Sequence, residues 1–494
     1  MNNATAIKNK KKDMMLGEDI RKLIPRMAVP TIVAQLITTI YNLVDTFFVS
    51  TLGTNATAAV GVNNSLERTI TLVGSLIGAG ACSYIARLLG AKKDDEADRV
   101  LSTSIITGLL AGIIFAIVGG IAMEPMVRLL GATEDCLQYS IQYATYVLLA
   151  APFMIGSFIL NMCLRSEGSA TYAMIGIGFG GVLNCLLDPL FIYGMGLGVA
   201  GASMATAISK TISFIILIVP YLRKRTSVTI SVKKFKFVWR DVKEVLSIGS
   251  TSFFRSALSV VAAVTINRVA ASFSTATLAA LSVANRVMDF PFAMILGFGQ
   301  GYQPVVGFNW GAKKPNRVRE SLTFSIKVSL IGGLGVGALI FLTANPTVHV
   351  FNSQADIEVL RIGVLCIRLQ CITLCAHALG SIVNMFYSGI GRAKEALILS
   401  TARQGYCFLP IALIVPWLIG VNGVAATQAL ADLVSLLIIV PMTIKAFRLI
   451  ERLEEADETE TAEMGEMEAV KADETENTKA GETETAKADE ENAQ

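Results

Sequence analysis

The chain has 494 residues, of which 53 % are hydrophobic and only 16 % are charged. Soluble domains carry about 25 % charged residues, so this composition excludes a water-soluble globular protein and indicates that lipid surrounds most of the chain. The net charge of +3 combines two opposite regions, because residues 451–494 hold 17 acids and four bases while the rest of the chain is basic.

Twelve apolar segments are long enough to cross a bilayer, whose hydrocarbon core of about 30 Å needs about 20 apolar residues per helix. In chain order they cover residues 27–52, 56–88, 99–122, 138–164, 170–194, 199–222, 246–273, 276–308, 318–343, 362–386, 395–419 and 422–446. They predict an all-α integral membrane protein with twelve transmembrane helices.

The basic residues of the connecting loops lie on one side of these segments. They precede the first segment and follow the even-numbered ones, whereas the loops after odd-numbered segments hold almost none. By the positive-inside rule, we expect both termini in the cytoplasm.

An internal repeat divides the chain into halves of six helices each. Residues 89–93, Leu-Gly-Ala-Lys-Lys, recur as Trp-Gly-Ala-Lys-Lys at 310–314, a shift of 221. Other landmarks keep nearly the same shift: Asn161, Met162 and Gly168 match Asn384, Met385 and Gly391, and Gly198 and Gly201 match Gly420 and Gly423. Because each half has an even number of helices, the repeat predicts two parallel, pseudo-symmetric six-helix lobes around a central cleft.

The repeat and the charge pattern together predict five divisions. These are a basic cytoplasmic N-terminal segment (1–22), an N-lobe (23–222), a basic cytoplasmic linker (223–245), a C-lobe (246–446) and an acidic tail (447–494). We expect the tail to be disordered, since it has too few apolar residues to bury a core.

Two acids lie inside apolar segments, where a charged side chain costs about 2.5–3.5 kcal/mol, so each is a candidate functional group. Asp45 lies in the first segment, and Asp188 lies in the fifth, four residues after Asn184 and hence on the same helical face. Thr206 in the sixth segment adds a hydroxyl group. Their oxygens are the groups that a cation carrier needs, and a carboxyl group can carry a proton.

The alternative is that Asp45 and Asp188 only join helices through hydrogen bonds, which contribute about 0.6 kcal/mol each in a membrane. That gain does not readily offset the cost of burial. The positions one repeat later carry no acid, being Ile266 or Asn267 and Leu409 or Pro410. A single coupling site requires this asymmetry, and a symmetric scaffold does not.

Other polar residues are weaker candidates. Pro30, 15 residues before Asp45, either bends the first helix or is accommodated by packing. Tyr41, Arg286 and Asp289 are candidates for the polar lining of the cleft, although the last two, three residues apart, can instead pair along one helix face.

The chain shows no sign of catalysis, a metal site or a cofactor. It has no Walker sequence, and its two histidines are too few for a His-based metal cluster. Transport is therefore driven by an ion gradient or is passive, unless a partner supplies ATP hydrolysis.

Four stretches together form a specific pattern. They are Pro30 with Val44-Asp45-Thr46; residues 87–92, Arg-Leu-Leu-Gly-Ala-Lys; Leu183-Asn184 with Leu187-Asp188-Pro189; and Gly301-Tyr302-Gln303-Pro304 with residues 307–313. With them, residues 20–446 resemble the multidrug and toxic compound extrusion (MATE) family, most closely its prokaryotic DinF-type branch. The resemblance implies that Asp45, Asn184, Asp188 and Thr206 form the cation or proton site, and that protonation bends the first helix at Pro30.

The same resemblance implies a secondary active multidrug exporter, not an enzyme. Its cargo would be small organic molecules, often cationic and amphipathic, exchanged against H⁺ or Na⁺ by alternating access. The coupling ion would be the sole cofactor. The protein would be a monomer in the inner membrane of a bacterial or archaeal cell, with the lipid bilayer and its substrates as partners and no nucleic acid.

The second half departs from family branches that use acids there. Arg255 lies in the seventh segment, and the tenth holds no acid from Ile362 to Tyr387, so no second-half sodium site is expected. One alternative is a lipid-linked oligosaccharide flippase of the same architecture, which would line its cavity with bases. The other is an intramembrane aspartyl protease, whose Gly-x-Gly-Asp motif is missing from this sequence.

Overall fold

The structure, a computed structural model, describes residues 3–351 and 356–491. Over these ranges the chain is helical and contains no β-strand. The helices are α1 Asn3–Gly17, α2 Ile20–Ser50, α3 Thr54–Gly90, α4 Asp94–Ile121, α5 Met123–Leu129, α6 Glu134–Ser166, α7 Ala170–Pro189, α8 Gly198–Leu222, α9 Trp239–Phe273, α10 Thr275–Gly311, α11 Pro315–Phe351, α12 Ile357–Gly389, α13 Ala393–Ala402, α14 Phe408–Ile419 and α15 Val421–Glu491. A π-helical turn, Leu190–Gly194, continues α7, and a 3₁₀ turn, Val232–Lys234, lies between α8 and α9.

Within the described ranges, eleven helices are long and apolar enough to cross a membrane. They are α2, α3, α4, α6, α7 with its π-helical turn, α8, α9, α10, α11, α12 and α15. The predicted eleventh segment, 395–419, does not form one long helix but is divided into α13 and α14. Counted together as one span, α13 and α14 bring the eleven long helices to twelve spans. The predicted all-α membrane fold is confirmed.

The division of the eleventh segment was not predicted. After Ala402 the helical bonding changes, since the Cys407 N–H donates to the Ala402 carbonyl five residues back, at 3.1 Å. Pro410 has no N–H to continue the bonding, and it lies in the first turn of α14, where a helix tolerates proline. Apolar periodicity does not reveal such a break, because the residues on both sides remain apolar.

The two halves repeat each other in unusual backbone conformations. Left-handed residues recur in pairs: Lys92 (φ 59°) with Lys313 (φ 51°), Gly168 (84°) with Gly391 (86°), and Gly198 (57°) with Gly420 (63°). A hydrogen bond recurs as well, from Asn161 Nδ2 to the Ala173 carbonyl at 3.0 Å and from Asn384 Nδ2 to the Ala396 carbonyl at 2.7 Å. The predicted internal repeat is thus present in the backbone as well as in the sequence.

The halves meet at the end of the bundle that carries the basic loops, here called the basic side. A Cβ atom on Gly90 would overlap the Phe308 carbonyl oxygen, and one on Gly311 would overlap the Arg87 carbonyl oxygen. The ends of α3 and α10, which carry the repeated Gly-Ala-Lys-Lys motif, therefore pack against each other at a distance that only glycine allows.

Helix α1 also joins the two halves on the basic side. Lys11 Nζ lies 3.3 Å from Oε1 of Glu167, whose side chain is fully buried at the end of α6. Asn309 Nδ2, near the end of α10, donates to the Met15 carbonyl at 3.3 Å. The sequence predicts only a basic segment here, whereas the structure places a helix across the junction of the halves.

The chain up to Ala446 forms one compact unit, and the chain from Phe447 on forms a second. In the second unit, α15 continues to Glu491, where the composition predicts disorder. The difference has a local cause, because Glu, Ala, Lys and Met are strong helix formers even without a core to pack against. The bounds of the five predicted divisions stay predictions.

Candidate functional site

Three of the four predicted ion-coupling residues lie together inside the first half. Asn184 Nδ2 donates to Asp188 Oδ1 at 3.2 Å and to Thr206 Oγ1 at 3.3 Å. Their exposed fractions are 3 % for Asn184, 0 % for Asp188 and 6 % for Thr206. The spacing of Asn184 and Asp188 on α7 accounts for the first bond, and the packing of α7 against α8 accounts for the second.

Asp45 on α2 completes the predicted set at a longer range. Its side chain is half-buried, and its carboxyl group lies within electrostatic range of Asp188. Asp188 immediately precedes Pro189, the last residue of α7, and a π-helical turn follows. Such turns occur often at functional sites, and here the turn begins two residues after the carboxylate.

Three buried oxygens of this cluster accept no hydrogen bond: Asp45 Oδ1, Asn184 Oδ1 and Asp188 Oδ2. A buried acceptor without a donor costs about 1–3 kcal/mol. A proton on a carboxyl group, or a small cation among the oxygens, would remove that cost. The donor set therefore fits either H⁺ or Na⁺, since carboxylate, amide and hydroxyl oxygens all coordinate hard cations.

Three residues that sequence reasoning did not assign to the site lie beside this cluster. Tyr143 on α6, which is 1 % exposed, donates to Glu67 Oε1 on α3 at 3.3 Å. Lys210 Nζ on α8 donates to the Tyr41 hydroxyl at 2.7 Å and interacts electrostatically with Asp45 and Glu67. The charge of Glu67 and Lys210 inside apolar segments marks them as candidates but does not place them at the site.

A small cavity lies between α2, α6, α7 and α10, on the basic-side half of these helices. Its polar lining includes Thr31, Gln35, Asn161, Arg165 and Gln300. Arg165 Nη1 donates to Gln300 Oε1 at 2.6 Å, and Gln35 Nε2 donates to the same oxygen at 3.3 Å. The sequence places Arg165 in a basic loop, but it is only 4 % exposed at the end of α6 and links the two halves.

The sequence profile of the MatE family matches the chain twice, at residues 30–190 and 252–414, once in each half. The chain belongs to the MATE family.

The multidrug export protein MepA of Staphylococcus saprophyticus is similar to this MATE protein, with 27 % identity over 406 residues, 82 % of this chain and 89 % of MepA. MepA of Staphylococcus aureus is 27 % identical over 414 residues, 83 % of this chain and 90 % of that protein. A solved outward-facing conformation of a multidrug resistance MATE family transporter superimposes with a TM-score of 0.85 at 27 % identity, covering 90 % of this chain and 99 % of the other.

These similarities confirm the predicted family and its fold of twelve spans in two lobes, here called the N-lobe and the C-lobe. MATE proteins are transporters, so the family supports a transporter and not an enzyme. The assignment to the DinF-type branch and the roles of the individual site residues stay predictions.

Pro30 lies inside α2 of this MATE protein, next to a close contact with the C-lobe. A Cβ atom on Gly297 of α10 would overlap the backbone at Ile32, and one on Gly301 would overlap the backbone at Ala28. Pro30 lies between these two contacts and lacks the N–H that would bond to the Arg26 carbonyl. Bending of α2 at this point stays a prediction.

The other candidates for the lining of the cleft lie in different lobes. Tyr41 belongs to the N-lobe cluster through Lys210. Arg286 and Asp289 are exposed on α10 of the C-lobe, and no ion pair joins them within the described part of the chain. Asp289 is instead within electrostatic range of both Arg286 and Arg68, and Arg68 lies on α3 of the N-lobe.

No group of three or more His, Cys, Asp or Glu side chains in residues 3–351 and 356–491 is arranged to hold a metal ion. The N-lobe cluster presents carboxylate, amide and hydroxyl oxygens.

Proposed function

We propose that this MATE protein exports small organic molecules by antiport against H⁺ or Na⁺. The observation that carries the proposal is the set of three buried, unpartnered oxygens on Asp45, Asn184 and Asp188. The names of the relatives support the cargo class, since both MepA proteins are multidrug export proteins.

The coupling step uses residues of the N-lobe only. A bound proton or sodium ion reduces the repulsion between Asp45 and Asp188, and Asn184 and Thr206 would supply neutral oxygen ligands to a sodium ion. When the ion leaves, the two carboxylates repel each other, and the arrangement of α2, α7 and α8 that suits the bound state becomes less favourable. Ion binding thereby favours one conformation of the N-lobe over the other, as coupling requires.

Alternating access follows from the junction on the basic side. The lobes touch at Gly90 and Gly311 on that side, and the similar solved structure is an outward-facing conformation. We infer that the basic side is cytoplasmic, so that the opposite end of the cleft opens outward. Release of cargo would be followed by rocking of the lobes, with α2 bending at Pro30 beside its contact with α10.

The proposed setting is that of a monomer in the inner membrane of a prokaryotic cell. The cargo is small organic molecules, often cationic and amphipathic, and neither a nucleic acid nor a cofactor other than the coupling ion takes part. The lipid-linked oligosaccharide flippase is the less favoured alternative, because both MepA relatives are export proteins.

The test uses purified full-length protein in proteoliposomes, with an amphipathic fluorescent cation as cargo and the pH and sodium gradients imposed separately. We expect export when one of the two gradients is imposed, and no export when both gradients are collapsed. Equal rates with and without the gradients would contradict antiport.

Asp45→Asn in the same assay separates coupling from binding. Asparagine keeps the volume of the side chain, but it cannot exchange a proton in this range and lacks the negative charge that attracts a cation. We expect this variant to bind cargo and to lose gradient-driven export. Gradient-driven rates equal to those of the unmodified protein would remove Asp45 from the coupling site.

A further inference from the structure

Two contacts between α2 and α7 lie on either side of the candidate coupling site. Nearer the start of both helices, Gly181 of α7 lies so close to α2 that a Cβ atom on it would be 3.1 Å from Cδ1 of Tyr41. Nearer their ends, Tyr193 in the π-helical turn contacts the last turn of α2. Asp45 on α2 and Asp188 on α7 both lie between these two contacts in chain order.

The contact made by Tyr193 consists of two hydrogen bonds and a ring contact. The Tyr193 hydroxyl donates to the Phe48 carbonyl at 3.3 Å and makes a second hydrogen bond with Thr51 Oγ1. The rings of Tyr193 and Phe48 meet edge to face, with their centroids 6.2 Å apart. The Phe48 carbonyl belongs to the last turn of α2, where carbonyl groups lack partners further along the helix. Tyr193 therefore caps α2 and joins it to the turn that follows α7.

The π-helical turn sets the direction in which Tyr193 points. Pro189 has no N–H group to continue the bonding of α7, and the N–H of Leu190 donates to a carbonyl only three residues back. The N–H of Met195 then donates to the Leu190 carbonyl five residues back, at 2.9 Å. A turn closed over five residues is wider than an α-helical turn, so side chains within and beyond it point elsewhere than a continued α7 would place them. In this structure the turn brings Tyr193 to α2 directly after the Asp188 carboxylate.

We propose that Tyr193 is a positioning residue for the coupling ion, because its hydroxyl group holds the part of α2 that carries Asp45 against the part of α7 that carries Asp188. Asp45 precedes Phe48 by three residues, which is about 5 Å along a helix, and Asp188 precedes Tyr193 by five. Two carboxylates that share one ion need a fixed separation, since their repulsion and their attraction to the ion both change with distance. This inference rests on the proposed antiport function and adds a residue that sets the affinity for the ion.

Membrane anchoring explains the ring of Tyr193 but not its hydrogen bonds. The residue is 50 % exposed, and tyrosine is enriched at membrane–water interfaces, where its hydroxyl group meets water. Here the hydroxyl group is bonded to Phe48 and Thr51 of the same lobe. The two roles separate at Thr51, because a threonine does not anchor a helix in the interface, whereas its hydroxyl group is one partner in the contact.

The test measures ion binding in the absence of cargo and of any gradient. The midpoint of thermal unfolding of the purified full-length protein in detergent is followed while Na⁺ is raised at fixed pH, and while the pH is lowered at fixed Na⁺. An ion that binds the folded protein stabilises it increasingly with concentration. The variants are Tyr193→Phe, Thr51→Val, the double variant, and the control Tyr139→Phe, an exposed tyrosine on α6 of the same lobe. The charged groups that interact with Asp45, which are Glu67, Lys210 and Asp188, are the same in every variant.

We expect Tyr193→Phe to raise the ion concentration at half-maximal stabilisation about three- to ten-fold, the effect of losing a hydrogen bond. Thr51→Val should have a smaller effect, because the bond from Tyr193 to the Phe48 carbonyl remains. The double variant should match Tyr193→Phe, since both substitutions act through one contact and their effects are therefore not additive. Tyr139→Phe should behave like the unmodified protein.

An unchanged ion dependence in Tyr193→Phe would overturn the inference, even if the variant unfolds at a lower temperature at every ion concentration. A double variant whose effect is the sum of the two single effects would also overturn it. Stabilisation of the unmodified protein by neither ion would contradict the coupling site and this inference with it. Because the measurement needs no gradient, it is independent of the export assay. An intact ion response without gradient-driven export would count against the proposed function and leave the role of Tyr193 in ion binding standing.

Discussion

The two lobes share one backbone plan but carry opposite charge in their interiors. In the N-lobe, Asp45 and Glu67 interact with one cation, Lys210, and Asp188 interacts with Asp45. In the C-lobe, the guanidinium group of Arg403 pairs with one carboxylate, Asp432. Lys210 and Asp432 are 222 residues apart, the same shift that relates Gly198 and Gly201 to Gly420 and Gly423. The equivalent positions of the two lobes thus carry opposite charges, a cation at Lys210 and a carboxylate at Asp432.

The comparison separates residues that hold helices together from residues that carry chemistry. Asn161 and Asn384 make the same hydrogen bond in both lobes, because both lobes need that helix contact. Asp188 has Pro410 as its counterpart 222 residues later. In the N-lobe the fifth segment forms the continuous helix α7, which carries Asn184 and Asp188 of the candidate coupling site. Its counterpart in the C-lobe, the eleventh segment, breaks into α13 and α14 around Arg403.

The largest expected effect is on coupling, and it should be confined to the N-lobe. Each elementary charge that crosses 100 mV releases about 2.3 kcal/mol, which is about fifty-fold in a concentration ratio. Asp188→Asn should lose this driving force for export, and should lose it more completely than Asp45→Asn. Asp432→Asn, at matched expression, should keep its response to the gradient. The measurement is gradient-driven uptake into inverted vesicles, and loss of coupling in the C-lobe variant would break the proposed division of roles.

The next effect is on stability, and it should be confined to the C-lobe. Asp432→Asn leaves the buried Arg403 without its counter-charge, which costs about 3–5 kcal/mol for a buried pair that loses one partner. We expect a lower midpoint of thermal unfolding in detergent for this variant. The double variant Arg403→Met with Asp432→Leu should recover part of the loss, because it removes both charges. An unchanged midpoint for Asp432→Asn would show that the pair does not support the break.

A smaller effect is expected at Lys210. Its ammonium group is a built-in counter-charge for Asp45 and Glu67 and competes with any cation that approaches them. Lys210→Gln should lower the concentration of coupling ion needed for half-maximal export about three- to ten-fold. Lys327→Gln on α11 is a control, since Lys327 is exposed and lies in the other lobe. An unchanged ion dependence would reduce Lys210 to a packing contact with Tyr41.

The smallest effect is expected in the acidic tail. Removal of residues 457–494 takes away a charged segment of the second compact unit and none of the N-lobe or C-lobe residues described above. We expect export within two-fold of the full chain, as measured in the vesicle assay at matched expression. A truncated protein that inserts normally but does not export would assign the tail a direct role in transport.

The sequence by itself determined the features that are encoded in neighbouring residues. Hydropathy located the spans, because each lipid-facing helix needs a continuous apolar run. The recurrence of Gly-Ala-Lys-Lys revealed the duplication, and the spacing of Asn184 and Asp188 put them on one helical face, where they form a hydrogen bond.

Only the tertiary structure decided which distant charges meet. Tyr143 meets Glu67, 76 residues away in the chain, and Arg403 meets Asp432, 29 residues away on a different element. Sequence reasoning therefore found Asp45 and Asp188 but could not sort the other charged residues of the spans. Hydropathy gives each helix its depth in the membrane but not its neighbours or its rotation. The pairing of buried charges depends on those two quantities, and the packing of the lobes sets both.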